Sequence, residues 1–355
     1  MIHSDDLQVL SGGVLVGGFD GTSLPAVVRA RLADGRLGGV TLFKRNVEST
    51  AQVMALCAAL ADAGPADRPT LISIDQEGGR VARLGPPVTA LPPMRDLGRG
   101  DPEATRRRAA RLGAELAALG INLDFAPVCD VDSNPLNPVI GDRAFGSDPD
   151  TVARHAVAFV RGLQDDAGVL ACAKHFPGHG DTETDSHLEL PRVRHDRARL
   201  DAVELPPFAA AVRAGVATVM SAHVVYDGLA AGAPGVPATL SRAVMVDLLR
   251  GVLGFTGVAF SDDLHMKALS ARMSVEDAAV AAIEAGCDGL LVCTDTDSQE
   301  RAREALAARA DRDGVFARRL REAHGRMLAL RRRAPPRPLR DPAALEDFFR
   351  GSSAG

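Results

Sequence analysis

The chain has 355 residues, is 46% hydrophobic and 25% charged, and carries a formal net charge of −5, which is ordinary for a globular protein with a substantial core. Mild acidity argues against nucleic acid as the main partner, and no apolar run approaches the roughly 20 residues of a membrane helix. The polar, acidic start, Met1 to Asp6, lacks the basic-then-apolar order of a signal peptide, so a soluble, cytoplasmic protein is expected.

Eight short apolar runs follow in chain order: Gly13–Gly18, Gly39–Phe43, Thr70–Ile74, Ile121–Ala126, Val169–Ala173, Thr218–Ala222, Gly257–Phe260 and Gly289–Cys293. Each leads into a polar or Gly-rich turn. Amphipathic helical patterns lie between them, at Ala51–Ala63, Glu103–Leu119, Asp150–Leu163, Pro206–Ala214, Arg242–Val252 and Ser274–Ala285. Alternation of this kind predicts parallel strands with helical crossovers, and eight units predict a closed (β/α)8 barrel. A doubly wound sheet would want a Gly-rich phosphate loop after the first strand, and Gly17-Gly-Phe-Asp-Gly21 does not fit that pattern. The catalytic barrel is expected over residues 1–298. Residues 299–355 are expected to add helices and a Pro/Arg-rich tail packed on the barrel, with one or two helices over Ser298–Arg333, a break at Ala334–Pro338 and a short helix at Asp341–Phe349. Arg331–Arg333 suits a helix C-terminus, which favours cations. The five cysteines are widely spaced and odd in number, which reads as buried thiols in a reducing compartment.

The densest chemistry follows the fifth run. Residues 172–187 read Cys-Ala-Lys-His-Phe-Pro-Gly-His-Gly-Asp-Thr-Glu-Thr-Asp-Ser-His. Pro177, Gly178 and Gly180 break regular structure there, so a strand ends in a polar loop. A solvated loop has no need of three imidazoles. A metal site is a second reading, although no pair has the helical spacing of a zinc motif. Acid–base catalysis is the third: Asp185 stands two residues before His187, on the same side of an extended segment, so it can hold one ring nitrogen while the other moves a proton. Polar residues also recur at the other strand ends: Asp75, Asp130, His223, Asp262 and Asp263. An Asp after a strand is commonly a helix cap. That explanation does not cover Lys174-His175 or the Asp262-Asp263 doublet, of which only one member can look into a barrel mouth.

Lys174-His-Phe-Pro-Gly-His-Gly-Asp-Thr-x-x-Asp-Ser-His187 resembles the signature of glycoside hydrolase family 3, in its β-N-acetylhexosaminidase branch. Asp75-Gln-Glu-Gly-Gly-Arg-Val81 resembles the family's sugar-binding turn. Ile140-Gly-Asp-Arg-Ala-Phe-Gly146 resembles its arginine loop, with Ala144 where Ser is common. Pro237–Ser241, Phe260–Met266 and Ala285–Asp288 also match, so the likeness spans roughly residues 12–295.

The resemblance implies a barrel, no metal, no cofactor and retention of anomeric configuration. It implies Asp262 as nucleophile and His187 paired with Asp185 as acid/base. Asp75, Arg83, Arg143, Lys174 and His175 are implied to hold N-acetylglucosamine. Lys174 and Arg143 are further expected to keep Asp262 ionised. The implied partner is a small carbohydrate, an N-acetylglucosamine-containing saccharide or muropeptide, with no nucleic acid and no membrane. Oligomeric state stays open. Three alternatives remain at this point: a phosphorylase on the same scaffold, a metal-dependent barrel hydrolase using His175, His179 and His187, and a sugar sensor without turnover. The near absence of Trp and Tyr counts against a long polysaccharide substrate.

Overall fold

The computed structural model describes residues 4–182, 190–229 and 234–352. Asp185 and His187 lie outside the described residues. Eight parallel strands close a barrel in sequential order: β1 (Leu15–Gly17), β2 (Gly39–Leu42), β3 (Leu71–Ile74), β4 (Leu123–Asp124), β5 (Leu170–Phe176), β6 (Thr218–Ser221), β7 (Val258–Asp263) and β8 (Gly289–Val292). The ring closes where Val16 of β1 pairs with Leu291 of β8 and with Gly39 of β2.

Strand residues alternate between two buried layers, which is why they read as continuous apolar runs. Val16, Leu71, Leu123, Leu170, Val258 and Leu291 point into the barrel and form one cluster. Leu15, Val40, Ile72, Ala171, Val219 and Leu290 point outward and pack in a second. Helices follow each strand and cover the outward layer: Ala26–Ala33, Thr50–Ala63, Pro102–Leu119, Pro149–Arg161, Leu205–Arg213, Ala243–Val252, Val275–Ala285 and Thr296–Arg312. Pro102–Leu119 shows the logic. Ala109, Leu112, Leu116 and Leu119 are buried at helical spacing, while Arg107 and Arg108 face water. Asp101 caps its start by accepting from the Glu103 N–H, with Pro102 at the first turn.

The bottom of the barrel is plugged by the helix Gly314–Arg333, whose Met327 and Leu330 enter the interior cluster. Arg331 near its end donates to the Pro69 and Arg68 carbonyls. The N-terminal helix Ser4–Gly12, which the polar sequence start does not announce, packs beside Thr296–Arg312. All five cysteines are free and buried. Among the described residues, no helix is long and apolar enough to cross a membrane.

Two irregularities sit at the open, C-terminal end. The pairing of β5 with β6 shifts between Ala173 and Phe176, and that of β7 with β8 shifts between Phe260 and Asp263. Bulges of this kind re-aim side chains at barrel rims, and here they fall on Lys174-His175 and Asp262.

Candidate active site

The strand ends enclose a cavity of about 390 Å3, within the range of small-ligand sites. Asp75, Glu77, Arg83, Arg143, Lys174, His175, Asp262 and Asp263 line it. Phe43, Val81, Pro138, Val139 and Met266 give it an apolar fringe.

Glu77 stands on a small hairpin in which Gln76–Gly78 pairs with Val81–Ala82. Gly78 (φ 112) and Gly79 (φ 54) make the turn in left-handed backbone that glycine tolerates best. The hairpin is tied down because Gln76 Oε1 accepts from the Arg83 and Leu84 N–H groups, while the Asp124 carboxylate accepts from the Gln76 N–H.

On that base rests a chain of opposite charges. Lys174 Nζ donates to Asp75 Oδ1 at 2.8 Å and lies 2.6 Å from Glu77 Oε1. Arg143 grips Glu77 with two bonds of 2.8 Å. Arg83 reaches Asp75 Oδ2 at 3.1 Å. Burial pushes the Asp75 and Glu77 carboxyls up, but the cations outweigh it and hold both below the usual carboxylate range. Burial likewise pulls Lys174 down, and Asp75 and Glu77 more than restore it, so it stays charged.

A second unit joins β5 to the loop after β4. Asp130, completely buried, accepts from His175 Nδ1 at 2.7 Å and from the backbone N–H groups of His175 and His179. Burial raises this carboxyl, and the His175 ring with its hydrogen bond overcomes that and holds it low. With Nδ1 donating to Asp130, His175 Nε2 faces the Arg143 donor at 3.3 Å. Beyond it the chain passes so close to Val131 that a Cβ on Gly180 would overlap its carbonyl. Asn137 donates to the His179 carbonyl, and Tyr226 to that of Gly178. The root of the long loop is therefore fixed from several sides.

The acidic doublet is divided. Asp262 lies in the register shift between Phe260 and Asp263 and lines the cavity, and its Oδ1 accepts from the Asp263 N–H at 2.8 Å. Asp263 spends its carboxylate on the His265 and Cys293 N–H groups, and its carbonyl accepts from His223 Nε2. Asp263 is thus the brace, while Asp262, which also lines the cavity, accepts only that one N–H among the described residues.

The 10–330 segment matches the glycosyl hydrolase family 3 N-terminal domain. The chain belongs to glycoside hydrolase family 3. A β-hexosaminidase of Xylella fastidiosa strain M23 is 42% identical over 306 residues, 84% of this chain and 88% of its own. Among solved structures, a family 3 β-N-acetylglucosaminidase from Paenibacillus sp. str. FPU-7 matches with a TM-score of 0.89 at 41% identity, covering 98% of this chain and 68% of that one. Native NagZ from Neisseria gonorrhoeae matches with a TM-score of 0.79 at 34% identity, covering 97% and 96%.

Six of the residues expected from sequence meet in the cavity of this family 3 glycoside hydrolase: Asp75, Arg83, Arg143, Lys174, His175 and Asp262. Lys174 forms its ion pairs with Asp75 and Glu77, and Arg143 with Glu77. Among the described residues no ion pair joins Asp262. Glu77 and Asp130 were given no role by sequence reasoning. Glu77 stood inside the matched turn, and the available signal was two carboxylates two residues apart, which one lysine can bridge. Among the described residues no group of three or more His, Cys, Asp or Glu side chains is set to hold a metal ion. His175 and His179 spend their Nδ1 atoms on Asp130 and Thr182.

Proposed function

We propose that this glycoside hydrolase is a retaining exo-enzyme that removes terminal, non-reducing β-linked N-acetylglucosamine, with cell-wall muropeptides as the natural source. The observation that carries the reading is the Asp262 carboxylate, which forms no ion pair among the described residues, lining one cavity of sugar size together with Asp75, Arg83, Arg143 and Lys174. The β-hexosaminidase and β-N-acetylglucosaminidase relatives support the choice of sugar. Five unpaired buried thiols support a reducing, cytoplasmic setting, where imported wall fragments are recycled.

In the first half-reaction Asp262 attacks the anomeric carbon, and the bond to the leaving oxygen breaks as that oxygen takes a proton. His187, oriented by Asp185, supplies the proton by resemblance to the family signature. In the second half a water gives its proton back to His187 and displaces Asp262. Lys174 keeps an N–H beyond those given to Asp75 and Glu77, and Arg83 has donors beyond its bond to Asp75. These free donors meet sugar hydroxyls and the acetamido carbonyl. The counter-carboxylates hold the cations in place before substrate arrives, which is the preorganisation that transition-state stabilisation requires.

The test is hydrolysis of 4-nitrophenyl N-acetyl-β-glucosaminide by the native enzyme and by Asp262→Ala. The variant is expected to lose nearly all turnover, and full activity in it would rule out the assignment. Product analysis in phosphate buffer separates hydrolysis, which gives free sugar, from phosphorolysis, which gives sugar 1-phosphate.

A further inference from the structure

Asp185 and His187 stand in sequence between Asp181 and His195, and each of these two flanking residues has a rigid mount. On the near side the chain is pressed against Val131, whose carbonyl a Cβ on Gly180 would overlap. Tyr226 donates to the Gly178 carbonyl at 2.7 Å, and Asn137 to the His179 carbonyl at 2.8 Å. On the far side Arg192–Val193 pairs with Val225–Tyr226 as a two-stranded parallel sheet, and Arg192 meets Asp227 at 2.6 Å. The His195 carbonyl packs on Gly228 so closely that a Cβ there would lie 2.4 Å from it. Asp196 then caps the helix Arg197–Ala202 by accepting from the Arg199 N–H. Tyr226 serves both mounts, its backbone the far one and its hydroxyl the near one.

The two mounts also meet directly through side chains. His195 Nε2 lies 2.5 Å from Asp181 Oδ2, with the side chains 33% and 24% exposed. Glu204 is a second carboxylate that feels the His195 ring, but Arg199 engages it. A partly exposed pair of this kind contributes little to the stability of a whole fold. Its effect is local: joining the two ends of a segment narrows the paths the chain between them can take.

We propose that His195 and Asp181 are positioning residues for protonation of the leaving group: their contact clasps the two ends of the segment that carries Asp185 and His187, and so sets where the proton is delivered. This rests on the reading of His187 as acid/base and adds the residues that aim it.

The experiment compares the native enzyme with His195→Ala, Asp181→Asn and the double variant on phenyl and 2,4-dinitrophenyl N-acetyl-β-glucosaminide. Each kcat/KM includes the step in which the leaving group departs. A phenolate needs a proton to leave, whereas a dinitrophenolate leaves without one. Each single variant is expected to lose roughly tenfold in kcat/KM on the phenyl substrate and less than about twofold on the dinitrophenyl one, because only the placement of the acid has changed. The double variant is expected to lose no more than either single one, as residues acting as a unit do. His187→Ala is the reference, with the same selectivity and a larger loss. Equal losses on both substrates, no loss on either, or losses that multiply in the double variant would overturn the clasp while leaving the acid standing. A His187→Ala variant that falls equally on both substrates would overturn the acid assignment and the clasp with it.

Discussion

Glu77 Oε1 lies 2.6 Å from Lys174 Nζ, and both side chains are almost wholly removed from water. Two such charges are tolerable together and costly apart. Since Arg143 binds the same carboxylate, Glu77 is the hinge on which the cationic half of the site hangs.

Glu77→Gln keeps the size and removes the charge. It is expected to destabilise the fold by about 3 kcal/mol at neutral pH, the cost of stranding a buried partner, and to raise KM. The pH dependence has a definite sign. The native Glu77 pKa lies well below the ordinary 4.5, so its contribution is complete above that value and is lost as pH falls below it. The stability gap between native and variant protein therefore narrows in acid. Thermal melts between neutrality and pH 3 measure it, and a constant gap would refute the coupling.

Asp130→Asn tests the His175 unit. An amide can offer Nδ1 a donor, which reverses the ring's tautomer and turns Nε2 towards Arg143 as a second donor. Loss on the order of ten- to hundredfold in kcat/KM is expected, by analogy with other residues that orient a functional imidazole. The fold should survive at ordinary temperature. Steady-state kinetics with circular dichroism separate the two effects, and unchanged kinetics in a folded variant would remove Asp130 from the site.

His179 predicts acid sensitivity. Burial, aided by His175, pushes its pKa from 6.5 to about 4. The unfolded chain takes up this proton first, so stability is lost as pH falls from about 6.5 towards 4, by about 3 kcal/mol from this group alone. Replacement by Gln should flatten that part of the stability curve by nearly one proton. Urea midpoints at several pH values show it, and parallel curves would contradict it.

The thiols should be inert. All five are buried, and burial pushes Cys172 and Cys287 up to about 12. Mass spectrometry after iodoacetamide treatment of the folded protein at pH 8 is expected to show unmodified enzyme with full activity. Rapid labelling would mean that the barrel opens far more readily than its packing implies.

Much of this was legible in sequence for a physical reason. A parallel strand buried on both faces must be apolar along its length, so each of the eight appeared as a run, and the polar residue ending each run marked the functional end of the barrel. Asp262 was distinguished from Asp263 only by resemblance; in the structure the distinction rests on Asp263 being consumed by the N–H groups of His265 and Cys293. Pairings across the barrel were not legible. Lys174 meets Asp75 from 99 positions away, and Arg143 meets Glu77 from 66 away. No local pattern encodes which carboxylate a cation will find, so Glu77 was not read from sequence as the partner of Lys174 and Arg143.

The central claim is that Asp262 forms the bond to the sugar. The most direct measurement is peptide mapping by mass spectrometry after quenching the enzyme with an activated fluorinated N-acetylglucosaminide, whose intermediate breaks down slowly. One glycosyl unit on the peptide carrying Asp262, absent in Asp262→Ala, is the predicted result. A glycosyl unit on another residue, or an oxazoline product with no protein adduct, would contradict it.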